Sequence, residues 1–364
     1  MVEWKKLGEV CKFNRGKTIT AKNAVEGNIP VIAGGQVPSY YHNEANRTGE
    51  SITIAGSGAY AGYVSYWNQP IFVSDAFTVD PNNELLHKYL FFWLKKNQEK
   101  IFSTQKGAGV PHVHGKDIAN FLIPIPSLSE QERIVGILDT FTASIDNIKA
   151  QIEQRRKQYE HYRNTLLNIE GKTQEDIHSW GEFCEITKGN GVQKADFVES
   201  GRGCIHYGQI YTHYGAYTDT TNKFVSEEVF NKARKASKGD IIMTDTSENV
   251  EDICKSVAYL GEEDIAVSNH SFILKHKQNP KFLSFSTLTH SFFNQKRKVV
   301  IGVKVSGIKP EHLAQIKIYL PPLSEQQRIV SILDTFEASI RNLEAQLVQR
   351  QKQYEYYREK LLTF

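Results

Sequence analysis

Residues suited to contacting a polyanion and reading the edges of its bases gather in a few loops. In the N-terminal half, Gln36, Ser39, Tyr40 and Tyr41 follow Gly34-Gly35, and Ser57 and Tyr60 lie in Gly56-Ser57-Gly58-Ala59-Tyr60. Lys106, His112, His114 and Lys116 share the run Lys106-Gly107-Ala108-Gly109-Val110-Pro111-His112-Val113-His114-Gly115-Lys116, and Lys17 stands ahead of them all. In the C-terminal half, Lys188 precedes Gln193 and Lys194, and Tyr207, Gln209, Tyr211, His213 and Tyr214 crowd one stretch. Thr246 and Ser247 form a polar pair, and Lys296-Arg297-Lys298 is a basic triplet. This mixture supplies amides and hydroxyls for base edges, aromatic faces, and cations for phosphates. Any single tyrosine could instead pack, and any single polar residue could simply be solvated. As a set, the loops favour DNA.

Other chemistries find less support. Gly56-Ser57-Gly58-Ala59-Tyr60-Ala61-Gly62 resembles a glycine-rich nucleotide loop. A strand-like run follows it, however, where a dinucleotide site needs a helix N-terminus, so a tight hairpin is expected. Gly16-Lys17-Thr18 resembles the end of a P-loop, but Cys11 occupies the position where the first glycine belongs. His112-x-His114 has no carboxylate or cysteine at a metal-ligand spacing. Leu320-Pro321-Pro322-Leu323 lacks the polar residue and the aromatic of an amino-methyltransferase motif. No metal, no cofactor and no catalytic residue is expected in this chain.

Composition agrees with a soluble globular protein: 364 residues, 40% hydrophobic, 23% charged, net charge +3. That charge permits nucleic-acid binding without demanding it. No apolar run reaches the roughly 18–20 residues of a membrane span. The N-terminus shows no secretory signal, and Cys11, Cys184, Cys204 and Cys254 form no paired motif, so the cytoplasm is the expected location.

The elements that must carry these loops are revealed by a repeat. Residues 128–167 and 323–362 match at 28 of 40 positions at a constant offset of 195. A weaker echo opens each half: Trp4, Gly8-Glu9-Val10-Cys11 and Arg15-Gly16 against Trp180, Gly181-Glu182-Phe183-Cys184 and Lys188-Gly189, an offset of 173 for all but the tryptophan. The second variable region is therefore 22 residues longer. Between these markers, 17–115 and 190–310 do not align.

Each repeated segment predicts a long helix. Ser129 stands three before Glu132 and Ser324 three before Gln327, as in a capping box. An apolar seam spaced 4-3-4-3 runs through Ile134, Leu138, Phe141, Ile145, Ile148 and Ile152, then Arg155, Tyr159, Tyr162 and Leu166. The second copy has Ile329, Leu333, Phe336, Ile340, Leu343 and Leu347, then Arg350, Tyr354, Tyr357 and Leu361. Nearly five heptads exceed what a coiled coil requires. Each helix could instead be buried in its own domain, but the seam's length and its likeness in both copies favour mutual pairing. The connectivity makes that pairing antiparallel. An arginine within such a seam can fix register at a cost in stability, so replacing both by leucine should raise the melting temperature.

Short strands are expected at 52–55, 62–66, 71–73, 240–243 and 265–267, with helices over 84–103 and 280–294. The fold class is α+β: two mixed α/β domains joined by two long helices in an antiparallel intramolecular coiled coil, pseudo-two-fold symmetric. The segments are 1–125, 126–170, 171–320 and 321–364.

The paired runs Leu128-Ser129-Glu130-Gln131-Glu132-Arg133-Ile134 and Leu323-Ser324-Glu325-Gln326-Gln327-Arg328-Ile329 carry a resemblance to the specificity subunits of type I restriction–modification systems. Leu7-Gly8-Glu9-Val10, Trp180-Gly181-Glu182-Phe183, Ile241-Ile242-Met243 and the run from Gly201 to Tyr211 are similar to that family too. The resemblance covers the whole chain. It implies two target-recognition domains, each reading half of a gapped site in double-stranded DNA. The helices would act as spacer and as docking platform for two methyltransferase subunits. Those subunits would bring S-adenosylmethionine and methylate adenine, and nuclease-translocase subunits would add restriction where present. A self-sufficient DNA-modifying enzyme and a coiled-coil scaffold without base readout are the alternatives.

Overall fold

The computed structural model describes residues 2–107, 109–302 and 306–364, so Ala108 lies outside the described residues. The chain forms two compact units, Met1–Ala150 with Glu344–Phe364, and Gln151–Leu343.

In unit 1 the strand Glu3–Lys6 pairs antiparallel with Leu122–Ile125, the last strand before the first long helix. An antiparallel sheet then runs Cys11–Arg15, Ala76–Pro81, Glu50–Ala55, Val64–Asn68. A smaller sheet runs Tyr40–His42, Ile29–Ile32, Phe72–Val73. Ile52, Ile54, Val64, Phe77 and Val79 bury one sheet face against Tyr89, Leu90 and Trp93 of the helix His87–Lys96. Each large apolar side chain buried this way contributes roughly 1.5–3 kcal/mol. The glycine-rich run proves to be the turn of a hairpin, joining two neighbouring antiparallel strands, with Gly58 and Gly62 at φ +87 and +92.

Unit 2 repeats the plan. Ile177–Ser179 pairs with Lys317–Tyr319. One sheet runs Glu185–Lys188, Ser271–Lys275, Ile241–Thr244, Ser256–Tyr259, Tyr217–Thr218. The other runs Phe197–Val198, Lys223–Val225, Arg202–Ile205, Ile265–Val267, Lys235–Ala236. The single helices expected over 84–103 and 280–294 are each two: His87–Lys96 and Gln98–Phe102, Pro280–Ser286 and His290–Val299. The second break is enforced by Thr289, whose hydroxyl accepts from the Phe292 N–H and so starts a new helix.

Strand register locates the 22 extra residues. Trp4 faces Pro124 as Ile177 faces Tyr319, and Arg15 faces Phe77 as Lys188 faces Phe272, preserving the offsets 173 and 195. Between them, Ile54 corresponds to Met243, an offset of 189, and Val64 to Ser256, an offset of 192. The stretches between these anchors are therefore longer by sixteen, three and three residues, all in connections. The largest includes the helix Tyr207–Thr212, where unit 1 has only the loop 33–39. The repeated glycines follow from close approach: a Cβ at Gly16 would lie 2.2 Å from the Ser74 carbonyl oxygen, and one at Gly189 2.3 Å from that of Ser268.

The long helices span Leu128–Leu167 and Leu323–Leu361. They begin one residue before Ser129 and Ser324, so neither serine caps. The Ser127 hydroxyl accepts from the Glu130 N–H, and the Pro322 carbonyl from the Glu325 and Gln326 N–H groups. Gln131 and Gln326, both fully buried, tie each helix to its unit. Gln131 accepts from the Leu86 N–H and donates to the Glu84 and Pro126 carbonyls. Gln326 accepts from the Asn279 N–H and donates to the Pro321 carbonyl and the Gln278 side chain. About two turns beyond, Lys88 meets Asp139 and Lys281 meets Asp334.

The seam has two parts. Its first members join the cores: Ile134 and Leu138 pack in unit 1 beside Tyr354, Leu361 and Leu362, and Ile329 and Leu333 in unit 2 beside Tyr159, Leu166 and Leu167. Further along, ring meets ring. Phe141 stacks on Tyr357 at 5.2 Å in unit 1, and Phe336 on Tyr162 at 5.2 Å in unit 2. The beginning of one helix thus meets the end of the other, which makes the pair antiparallel. Ile145, Ile148 and Ile152 are buried, and Ile340, Leu343 and Leu347 half-buried. The arginines do not merely interrupt the seam. Arg350 lies 5.7 Å from the centre of the Phe141 ring and Arg155 5.7 Å from that of Phe336.

Candidate nucleic-acid interface

Each unit frames its cleft region with main-chain hydrogen bonds. In unit 1 the hairpin turn after Glu50–Ala55 receives the Lys106 loop. Gly58 N–H donates to the Pro111 carbonyl and Val113 N–H to that of Gly56, and Lys106 and His112 exchange both of their bonds. Gly56 N–H donates to the Asp75 carbonyl at 3.1 Å, and the Ser57 hydroxyl to the Asp75 carboxylate. Unit 2 makes the same bonds with other residues. Asp245 N–H donates to the His270 carbonyl at 3.1 Å, Ile308 N–H to that of Asp245, and Ile301 and Gly307 exchange both bonds. Gly56, Ser57, Asp75 and His112 of one cleft thus stand where Asp245, Thr246, His270 and Gly307 stand in the other.

In unit 1 the cleft, of about 170 Å³, is lined by Phe13, Arg15, Asp75, Phe77, His112 and His114 among others. The two histidine rings stack at 6.2 Å. Lys106 pairs with Asp117 at 2.5 Å. Burial alone would raise the Asp117 carboxyl, but hydrogen bonds from Lys106 and the His114 backbone hold it below its usual value. Lys17, Gln36, Ser39 and Lys116 are exposed, as are Tyr41 and Tyr60. Tyr40 faces the other way, donating its hydroxyl to the Ile19 carbonyl at 2.6 Å.

In unit 2, Tyr207 and His270 form a ridge, with rings 5.3 Å apart, between clefts of about 340 and 410 Å³. Gln193, Lys194 and His206 line the first, and Tyr211, Thr246, Ser247, Asn249 and Asp252 the second. Burial, with Lys194 and His270 nearby, holds His206 below the usual histidine pKa. Lys188 pairs with the buried Asp245 at 2.8 Å. His213, Arg297 and Lys298 are exposed, while the Tyr214 hydroxyl is bonded to Asn222.

Besides Tyr40, both Gln209 and Lys296 depart from the expectation. Gln209 is buried, its amide spent on the His206 N–H and the Asn222 side chain. Lys296 is only 4% exposed, and its ammonium donates to the carbonyls of Glu251 and Ile253. A charged side chain in an apolar-looking helix face escapes burial cost only by such bonds, and burial turns this ammonium to the loop carbonyls, away from any phosphate. Conversely, Arg15, Asp75, Asn269 and His270 belong to the clefts and were missed. Asn269-His270 stands between two strand-like runs, which marked a turn but not the φ of +62 that turns His270 outward.

Burial pushes all four cysteine thiols up to about 12, which makes them poor nucleophiles. Among the described residues no three His, Cys, Asp or Glu side chains converge to hold a metal ion. No helix of the described residues is long and apolar enough to cross a membrane.

Comparison with known proteins adds to this geometry. The model of the type I restriction modification DNA specificity domain matches residues 1–155 and 176–350. A Haemophilus influenzae protein assigned as a type I restriction enzyme specificity subunit is 28% identical, covering 100% of this chain and 96% of its own. The Escherichia coli EcoR124I/EcoR124II specificity subunit is 27% identical over 100% of this chain and 94% of its own. The crystal structure of the S subunit of a type I restriction–modification system from M. genitalium shares the fold, with a TM-score of 0.63 at 17% identity, covering 100% of this chain and 97% of that one.

Proposed function

Because the chain belongs to the type I restriction–modification specificity family, we propose that each unit reads one half of a gapped site in double-stranded DNA while the helix pair sets the gap. The observation that carries this reading is the pair of clefts: one hydrogen-bond frame presents two different sets of donors and acceptors. Different sets recognise different base edges, so the two half-sites differ in sequence. Each unit brings a few base contacts, and covalent linkage raises their joint affinity.

The chain holds no catalytic chemistry of its own in this reading. Two methyltransferase subunits bring S-adenosylmethionine and methylate adenine, and nuclease-translocase subunits join where restriction occurs. Two equal docking places are supported by surface features repeated in both long helices. Leu128 and Leu323 are both large, apolar and exposed, each close to a surface Glu–Arg pair, Glu130–Arg133 and Glu325–Arg328. Such a complex works beside the chromosome, in the cytoplasm.

The test assembles the chain with its methyltransferase subunits and selects sites from randomised DNA. Two short motifs separated by a fixed unread gap are expected. Deleting one heptad from both helices removes about 10 Å of each and should shorten the gap by about three base pairs. A single continuous motif or an unchanged gap would sink the reading. Methyl transfer by the purified chain alone would point instead to a self-sufficient enzyme, and a complex without sequence preference to a scaffold.

A further inference from the structure

Lys296 has a task other than phosphate binding. We propose that it is a positioning residue, holding the loop 248–254 from beneath so that unit 2 can read its half-site; this rests on the reading above. Its Nζ donates to the Glu251 carbonyl at 2.8 Å and to the Ile253 carbonyl at 2.6 Å. The upper side of the same segment offers Ser247, Asn249 and Asp252 to the cleft that Tyr207 and His270 wall. The loop's ends are fixed from the sheet. Cys254, at φ +60, donates its N–H to the Thr244 carbonyl at 3.0 Å, and the Thr244 hydroxyl donates to the Asp252 carbonyl at 3.0 Å. Lys255 ties the segment to the helix Tyr207–Thr212 through the Tyr211 carbonyl. The middle of the loop has no ladder partners; Asn249 and Asp252 bond each other across it, and the lysine ties it to the helix behind.

Unit 1 solves the same problem with amides. Gly62 N–H bonds the Ala55 carbonyl as Cys254 N–H bonds that of Thr244, which makes Ala61 the counterpart of Ile253. The Ala61 carbonyl accepts from Gln105 at 2.8 Å and the Gly62 carbonyl from Gln98 at 2.7 Å. A side-chain donor from the helical segment behind therefore reaches the same carbonyl in both units. In unit 2 the loop is three residues longer, and the longer, more flexible lysine spans to a second carbonyl, that of Glu251. Where donation, not charge, is what the loop needs, glutamine can replace lysine at the Ile253 carbonyl, as Gln105 serves that of Ala61.

The experiment uses the chain assembled with its methyltransferase subunits, comparing wild type, Lys296→Met and Lys296→Gln by site selection and by hydrogen exchange. For Lys296→Met, discrimination at the second half-site should fall about ten-fold, one base contact's worth, with the first half-site and the gap unchanged. The 248–254 amides should exchange faster. Lys296→Gln should stay within about two-fold of wild type at both half-sites. Wild-type discrimination in Lys296→Met overturns the proposal, as does an equal loss at both half-sites with a lowered melting temperature. Lys296→Gln as defective as the methionine variant overturns it too. If the wild type shows no bipartite preference, the functional reading itself fails, and loop exchange still reports whether Lys296 holds the segment.

Discussion

Where unit 1 sets Gly56-Ser57 over Asp75 and His112, unit 2 sets Asp245-Thr246 over His270 and Gly307, with the same main-chain bonds between them. At other matched positions the units share the residue: Gly16 with Gly189, Gln131 with Gln326, Phe141 with Phe336. The contrast separates two kinds of position. At these positions a side chain, or the lack of one, itself closes the frame, and both copies carry the same residue. Where only backbone groups close it, the side chain is free to differ, and those free side chains line the clefts. Recognition can therefore change without a cost to folding.

The largest test of that division removes a shared side chain. Gln131→Leu leaves the Leu86 N–H and the Glu84 and Pro126 carbonyls without their partner, and should destabilise unit 1 by about 2–4 kcal/mol in denaturant unfolding. Gln326→Leu should cost unit 2 a similar amount. A loss under about 1 kcal/mol at either site would mean water replaces the amide.

Acid should part the units next. Burial lowers His276 of unit 2 from 6.5 to about 4, and its Nδ1 accepts from the Gln278 N–H, whereas unit 1 has Pro81 at that position. The folded state holds this ring neutral. Below about 6.5 the unfolded chain takes up a proton that the folded chain refuses until about 4, so stability is complete above that window and falls through it. At pH 5 the loss should be about 2 kcal/mol, confined to unit 2 and absent in His276→Gln. Unit 1 losing as much in the same window would show that its carboxylates dominate instead.

Exchanging cleft residues should move specificity more than stability, although Asp75 accepts from Ser57 and His270 stands 3.7 Å from the buried Asp245. His270→Asp gives unit 2 the residue of unit 1 at that position, and should change second half-site preference about ten-fold with the first untouched. Asp75→His should do the converse. A change at both half-sites together would break the independence of the clefts.

The smallest effect concerns the arginines. Leucine at 155 and 350 was expected to raise the melting temperature, on the ground that a cation weakens an apolar seam. Each guanidinium lies over a phenylalanine ring of the other helix, and Arg350 also donates to Gln353. The double substitution should now lower stability, by about 0.5–1 kcal/mol per site, read as a small fall in melting temperature. A rise would restore the first view.

Much of this was legible beforehand. The repeat gave the helices, their antiparallel pairing and the doubled plan, because seam residues are dictated by their own side chains. The strand frame was not legible across 17–115 and 190–310, because its bonds are main-chain and three insertions shift the offset. Among the candidate contacts, polarity alone could not separate Tyr41, which is exposed, from Tyr40, whose hydroxyl is bound to Ile19. Nor could it tell Lys298 from Lys296, two positions apart on one helix and facing opposite ways. Direction on a strand or helix decides such cases, and that depends on register set by distant residues.

Unit 2 is one unbroken stretch, whereas the core of unit 1 includes Tyr354, Leu361 and Leu362, more than two hundred residues beyond its other members. On the ribosome, the portion made first must wait for the portion made last. Unit 2 has all its residues once Leu343 has emerged, while Ile134 and Leu138 remain without Leu362 until that residue has followed. Birth order and completion order are therefore reversed: unit 1, begun first, gains its last core residues only after every residue of unit 2 has been made.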